Sequence, residues 1–315
     1  MPKPMIADLH CDTALRLLRG HRLERDRGHV SLDRLRSGGV GLQVFACWIS
    51  PAFRRNRALD HAWSLVEAVK RETARHPARL QLVADGVSWR NCRRGRRIGV
   101  MLGIEGGHGL GTGTGSLEAF SRAGVRILTV TWNNSNAFAC SAWRAAKSGR
   151  DTGLTALGRK LVADANRLGI VLDLSHSSEK TFWEVLRLSE KPVIASHSCA
   201  GFLQPHFRNL SDAQIKALAG SGGLLGINFY PGFLGERDGR CGLDRVADHF
   251  AYVRELAGAG CLALGSDFDG ISRVPDGLDG PHKFPALLNE LKARGFTARE
   301  LRDVAGGNFL RLLGW

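Results

Sequence analysis

Eight apolar, β-branched stretches of strand length recur along this chain of 315 residues. They run at about residues 5–10, 41–49, 98–105, 125–132, 170–176, 192–197, 224–229 and 262–267. Between them lie segments whose apolar residues repeat at helical spacing, such as 58–75, 154–168, 178–188, 211–219 and 243–257. Start signals agree with this reading: Thr152-Gly153-Leu154-Thr155 precedes one predicted helix, and Ser211 and Thr297 suit N-caps. Eight strands alternating with helices, in a chain somewhat longer than about 250 residues, predict an α/β fold of the (β/α)8 TIM-barrel type. No Pro/Ser-rich linker divides the chain, so residues 1–315 are read as one barrel domain.

Five of the eight runs end in side chains that bind metal ions: His10, Glu105, His176, His197 and Asp267. In an extended strand residues two apart share a face, so His10 and Asp12 can aim at one ion while Cys11 faces away. Active sites of (β/α)8 barrels lie at the carboxyl ends of the strands, where these residues fall. A doubly wound sheet would gather its chemistry at one switch point. Here the groups are spread over the whole strand order, and a closed ring is what brings them together.

Composition narrows the remaining classes. The net charge of +14 concentrates in Arg93-Arg94-Gly95-Arg96-Arg97 and Arg54-Arg55-Asn56-Arg57. Neither cluster is interleaved with aromatics or set in a nucleic-acid motif, so a solvated surface and no nucleic-acid partner are expected. The seven cysteines are odd in number and form no Cys-x-x-Cys pair, which points to a reduced compartment. No run approaches the roughly 18 apolar residues of a membrane span, and the first proposed ligand at position 10 leaves no room for a secretory leader. A cytoplasmic protein with no membrane partner is the expectation. The loop 109–116 is glycine-rich but lacks the lysine of a phosphate-binding loop.

The ordered motifs Asp8-Leu9-His10-Cys11-Asp12-Thr13, Gly103-Ile104-Glu105-Gly106, Gly153-Leu154-Thr155, Asn166-Arg167-Leu168-Gly169, Asp173-Leu174-Ser175-His176, Ala195-Ser196-His197-Ser198, Arg208-Asn209-Leu210-Ser211-Asp212, Gly265-Ser266-Asp267-Phe268-Asp269-Gly270 and Gly307-Asn308-Phe309-Leu310-Arg311 span nearly the whole chain. With them the chain resembles the membrane dipeptidase, or renal dipeptidase, family of zinc peptidases within the amidohydrolase-like metal-dependent barrels. The resemblance implies two zinc ions bridged by Glu105, one completed by His10 and Asp12 and the other by His176 and His197. It implies that Asp267 takes a proton from water and passes it to the leaving amine, with Asp269 as the rival. Arg208 matches the arginine that grips the free carboxylate of a small dipeptide, a substrate class that includes dipeptides with a D-residue at the carboxyl end. The alternative for Arg208 is a structural pairing with Asp212.

One departure stands out. Well-known members of that family have histidine where this chain has Trp132, a position thought to help hold the substrate. Indole donates one hydrogen bond but carries no charge, so the substitution bears on rate and preferred dipeptide, not on the metals. It motivates an alternative, a related amidohydrolase acting on a non-peptide amide, ester or lactam. A further alternative is a binding protein that keeps the metals without catalysis. His108 is read as loop or as a residue behind the ligands, Asp173 as support for the barrel or orientation of a ligand, and Asn308 as a cap or barrel-floor residue. Trp48, Trp63, Trp89, Trp143 and Trp183 are read as packing aromatics, and Tyr230 and Phe233 as pocket lining. The resemblance and scattered apolar surface residues favour a homodimer.

Overall fold

Nine parallel strands carry the architecture in the computed structural model, which describes residues 4–25, 27–236 and 239–315. They are β1 (Ile6–Cys11), β2 (Val40–Trp48), β3 (Leu80–Leu82), β4 (Ile98–Glu105), β5 (Val125–Thr129), β6 (Val171–Asp173), β7 (Ile194–Ser198), β8 (Leu224–Ile227) and β9 (Leu262–Leu264). Pairing of β1 with both β2 and β9, and of β2 with β4 from Leu42↔Gly99 to Trp48↔Glu105, closes eight of them into a ring. The ring order is β1-β2-β4-β5-β6-β7-β8-β9, the (β/α)8 barrel predicted. The ninth strand, β3, lies beside the first half of β4, on the edge that β5 uses for the second half.

Alternation along the strands separates two apolar layers. Ala7, Leu9, Leu42, Val44, Met101, Ile127, Ile194, Leu224 and Ala263 form one buried cluster inside the ring, with Phe309 at its base. The intervening residues, among them Ile6, Phe45, Leu102, Leu128, Leu172, Leu225 and Leu264, join the larger cluster beneath the helices. The helices Asn56–Arg75, Ala156–Leu168, Glu179–Leu188, Asp212–Gly220 and Leu243–Ala257 coincide with the periodic segments. Thr155, Ser211 and Thr297 each accept a hydrogen bond from the backbone N–H three residues on, as N-caps do. Asn308 donates to the carbonyls of Ala259 and Leu262, both at 2.8 Å, tying the last helix to the foot of β9.

Several strands stop earlier than their apolar runs. β6 ends at Asp173 and β9 at Leu264, so His176 and Asp267 stand past the ladder, both at positive φ (68° and 60°). Positive φ is uncommon outside glycine and clusters at functional sites. Register shifts in β1 between Asp8 and Cys11, and in β7 between Ala195 and Ser198, interrupt the alternation at His10 and His197. Bulges of this kind re-aim side chains. They let Leu9 and His10, adjacent in sequence, both serve the inside of the barrel.

Candidate metal centre

Glu105 ends β4 at the middle of the barrel mouth and is 1% exposed. Its Oε1 lies 3.0 Å from His176 Nε2 and 3.4 Å from His197 Nε2, and its Oε2 lies 3.5 Å from His10 Nε2. His10 Nε2 is in turn 3.8 Å from Asp12 Oδ2. The two imidazole nitrogens of His176 and His197 are 3.0 Å apart. All five residues proposed as ligands therefore meet, and Asp267 joins His10 and Asp12 within the same few ångströms.

The tautomers are set from behind. The Ser196 hydroxyl donates to Asp173 Oδ2 at 2.7 Å, so its oxygen accepts from His197 Nδ1–H at 2.8 Å. The Asn133 amide oxygen, at 2.9 Å, accepts from His176 Nδ1–H. Each ring then turns an Nε2 lone pair toward the other and toward a carboxylate, an arrangement that repels unless a cation lies between. Tetrahedral zinc with bonds of about 2.0–2.1 Å places neighbouring ligand atoms roughly 3.3 Å apart, close to the spacings here. His10 Nε2, Asp12 Oδ1 and both Glu105 oxygens are buried without a hydrogen-bond partner among the described residues. Buried polar atoms are otherwise almost always paired, so these residues fit a metal ion.

The electrostatics of His176 and His197 agree. Burial, with the charge of Arg208 adding to it, holds His176 down at about 4. Burial and then the charge of His10 hold His197 at about 3. Both rings are neutral near pH 7, the form that ligates metal. Burial opposes ionisation of Glu105, but the charge of His10 and the three surrounding imidazoles keep its carboxyl well below the usual range. Burial would lower His10, yet Glu105 and Asp12 raise it. Burial and the Glu105 charge lift Asp12 to about 6, and burial lifts Asp267 to about 7.

Asp173 sits one layer below, accepting from the backbone N–H groups of Ser196 (2.8 Å) and Ser175 (3.0 Å) and from the hydroxyl of Thr129 (2.6 Å). Asp8 does the same between strands, accepting from Ser266 N–H at 2.9 Å, Ser266 Oγ–H at 2.6 Å and Gln43 at 2.9 Å. Asp269, the rival base, is committed elsewhere: it accepts from Thr13 Oγ1 and from His29 N–H, both at 2.7 Å. Asp267 accepts, among the described residues, only from the Asn228 side chain, at 2.9 Å; both aspartates line the cavity.

That cavity, about 610 Å³, is lined by Asp12, Glu105, Trp132, His176, His197, Arg208, Phe233 and Asp267 among others. Arg208 is buried, donates to His197 O (3.1 Å) and Ser198 Oγ (3.4 Å), and lies over the Phe233 ring. The alternative pairing with Asp212 does not occur; Asp212 accepts from the Tyr252 hydroxyl instead. Tyr230 and Phe233 line the cavity as expected. Trp63, Trp89 and Trp183 pack on Phe120, Trp315 and Phe182. Trp48 corrects its reading as a packing aromatic: it lines the cavity in a T-shaped pair with Trp132, ring centroids 5.2 Å apart. His108 is no ligand; its Nε2 bonds Ile49 O at 3.0 Å.

Over residues 1–315 the sequence matches the model of the Membrane dipeptidase (Peptidase family M19) family. The chain belongs to this family. It is 35% identical over 294 residues to Dipeptidase 3 of Mus musculus, covering 91% of this chain and 57% of the mouse protein, and Dipeptidase 3 of Rattus norvegicus is similar at the same identity. The chain thus spans little more than half the length of those relatives. Among solved structures, dipeptidase AC, a family M19 metallopeptidase, superposes with a TM-score of 0.90 at 29% identity over 98% of each chain. A metallopeptidase from Rhodobacter sphaeroides, liganded with a phosphinate mimic of the dipeptide L-Ala-D-Ala, gives 0.90 at 29% over 99% of each. Within the membrane dipeptidase barrel, sequence reasoning missed Asn133, Ser196, Asn228, Trp48 and Gly270. Ser196 and Gly270 lie inside matched motifs and Asn133 and Asn228 face them, and their contacts are what a linear reading lacks.

Proposed function

We propose that this membrane dipeptidase family member hydrolyses small dipeptides, including those with a D-residue at the carboxyl end, with two zinc ions bridged by Glu105. The observation that carries the reading is the convergence of His10, Asp12, Glu105, His176 and His197, the first three with unpartnered buried atoms, at the cavity that also holds Arg208. His10 and Asp12 would hold one ion, His176 and His197 the other. Zinc, when bound, acidifies water to about pKa 7 and polarises a carbonyl.

The protein's own groups do the rest. Arg208 spends two N–H groups on His197 O and Ser198 Oγ, leaving donors of its planar fork for a substrate carboxylate. Asp267, held at Oδ2 by Asn228 and next to His10 and Asp12, is placed to take a proton from water and return it to the leaving amine. Phe233 lies over the Arg208 guanidinium, and Tyr230 lines the same cavity. Seven buried free thiols support a reducing, cytoplasmic setting for this chemistry.

The test is purification, reconstitution with zinc, metal analysis and a dipeptide panel containing both stereochemistries at the second residue. Close to two equivalents of metal and release of free amino acids are expected. Fully metallated protein that cleaves no dipeptide would refute the proposal and turn attention to non-peptide amides.

A further inference from the structure

The ring order fixes which cavity walls oppose each other. Counting β1-β2-β4-β5-β6-β7-β8-β9 around the barrel, β4 stands opposite β8. Trp48 ends β2 and Trp132 lies three residues past the end of β5, so the two flank β4, which carries Glu105. Arg208 follows β7, and Tyr230 and Phe233 follow β8. The indole pair and the guanidinium therefore face each other across the ligand cluster. A dipeptide anchored through its carboxylate at Arg208, with its peptide carbonyl over Glu105, extends its first residue toward Trp48 and Trp132.

The pair is also built as a contact surface. Trp132 lies between Trp48 and His176, 5.2 Å from one ring and 6.1 Å from the other. Trp48 Nε1 is buried without a hydrogen-bond partner among the described residues, so packing alone holds that ring. Both indoles line the cavity, and its volume of about 610 Å³ leaves room for a bulky dipeptide. Two aromatic faces at an angle contribute dispersion and offset stacking to an apolar or aromatic guest and offer nothing to a carboxylate.

Resting on the dipeptidase reading above, we propose that Trp48 and Trp132 form the wall that receives the side chain of the substrate's first residue and select dipeptides in which that residue is large and apolar, above all aromatic. The residue that departs from the family histidine is, in this view, a specificity determinant.

The experiment compares kcat/KM for Gly-Ala, Leu-Ala, Phe-Ala and Glu-Ala with Gly-Leu and Gly-Phe, using zinc-loaded wild type, Trp48→Ala and Trp132→Leu. Calorimetric affinities for phosphinate analogues of Phe-Ala and Gly-Ala give a second readout. Wild type should prefer Phe-Ala to Gly-Ala by about tenfold or more, the discrimination an apolar pocket provides. Each variant should shrink that ratio severalfold in turnover and in affinity, while the Gly-Phe to Gly-Ala ratio holds. Trp48→Phe, which keeps an aromatic face, should retain most of the preference and guards against a folding defect. Unchanged ratios in both variants, or a change confined to the second-residue series, overturns the assignment while leaving the dipeptidase reading intact. Absence of cleavage in every dipeptide by metallated wild type overturns both.

Discussion

Gly270 lies in the loop after β9, and a methyl group on its Cα would fall 2.0 Å from Asp12 Oδ2 and 2.4 Å from Asp267 Oδ1. Ordinary contact begins at 3.4 Å, so Gly270→Ala must displace the first carboxylate by about 1.4 Å and the second by about 1.0 Å. Its backbone is not in the left-handed region, so alanine adds no backbone strain there. Both obstructing atoms are ends of side chains, and the barrel itself has no reason to move. Ligand distances at a metal are held to roughly 0.2 Å, and a 1 Å misplacement of a reacting group costs about 100-fold in rate. Gly270→Ala should therefore lose roughly two orders of magnitude in dipeptide kcat/KM and release metal more readily to a competing chelator. The melting temperature of the metal-free protein should stay within about 2 °C of wild type, as for a substitution that disturbs no core packing. Stopped assays of amino-acid release, metal analysis after graded chelation and circular dichroism supply the three readings. A variant with wild-type metal retention and turnover would refute the claim that these carboxylates depend on the missing Cβ.

Other substitutions separate the roles around the centre. His197→Ala should cost bound metal, measured by elemental analysis, whereas Asp267→Asn should retain it and slow turnover by 10²–10⁴-fold, the usual worth of a general acid–base group, roughly. Ser196→Ala removes the acceptor that orients His197 Nδ1–H, and metal affinity should fall about 10–100-fold in a chelator competition. Saturating zinc should raise the melting temperature, and zinc at about 1,000 times its dissociation constant adds roughly 4 kcal/mol to stability. His249, buried between Ala200 N–H and Leu234 O, is held by burial at about 4. Above pH 6.5 it is neutral in both folded and unfolded chains; below that the unfolded chain takes up a proton that the folded ring declines until about 4. Stability is thus lost as pH falls through this window, by about 3 kcal/mol. Urea titrations at pH 7 and pH 4.5 should show a smaller difference in His249→Gln than in wild type.

The barrel was readable because each ring strand is a run of apolar residues, and the cluster at its mouth because those runs end in imidazole or carboxylate. β3 was not: Leu80–Leu82 is three residues long, and only its pairing to β4 marks it. Strand ends were overrun at His176 and Asp267, which stand past Asp173 and Leu264 where the backbone has left the ladder for positive φ. Trp48 was mistaken for packing because its partner Trp132 is remote in sequence and meets it only once β2 pairs with β4. The hydrogen bonds that hold Asp269 come from Thr13 and His29, segments that no linear motif connects to β9.

His10 and Asp12 come from the first ring strand and Asp267 from just past the last, with Ser266 bound to Asp8 across 258 residues of sequence. No partial assembly of the ring can present both halves of the cluster. During synthesis, a ribosome-bound chain lacking β9 already carries all five candidate ligands but has neither Asp267 nor the Ser266–Asp8 bonds that close the ring, so the cluster is completed only at closure. On the proposed function, full competence would then arrive late, because termination anywhere before β9 removes the group placed to move the proton.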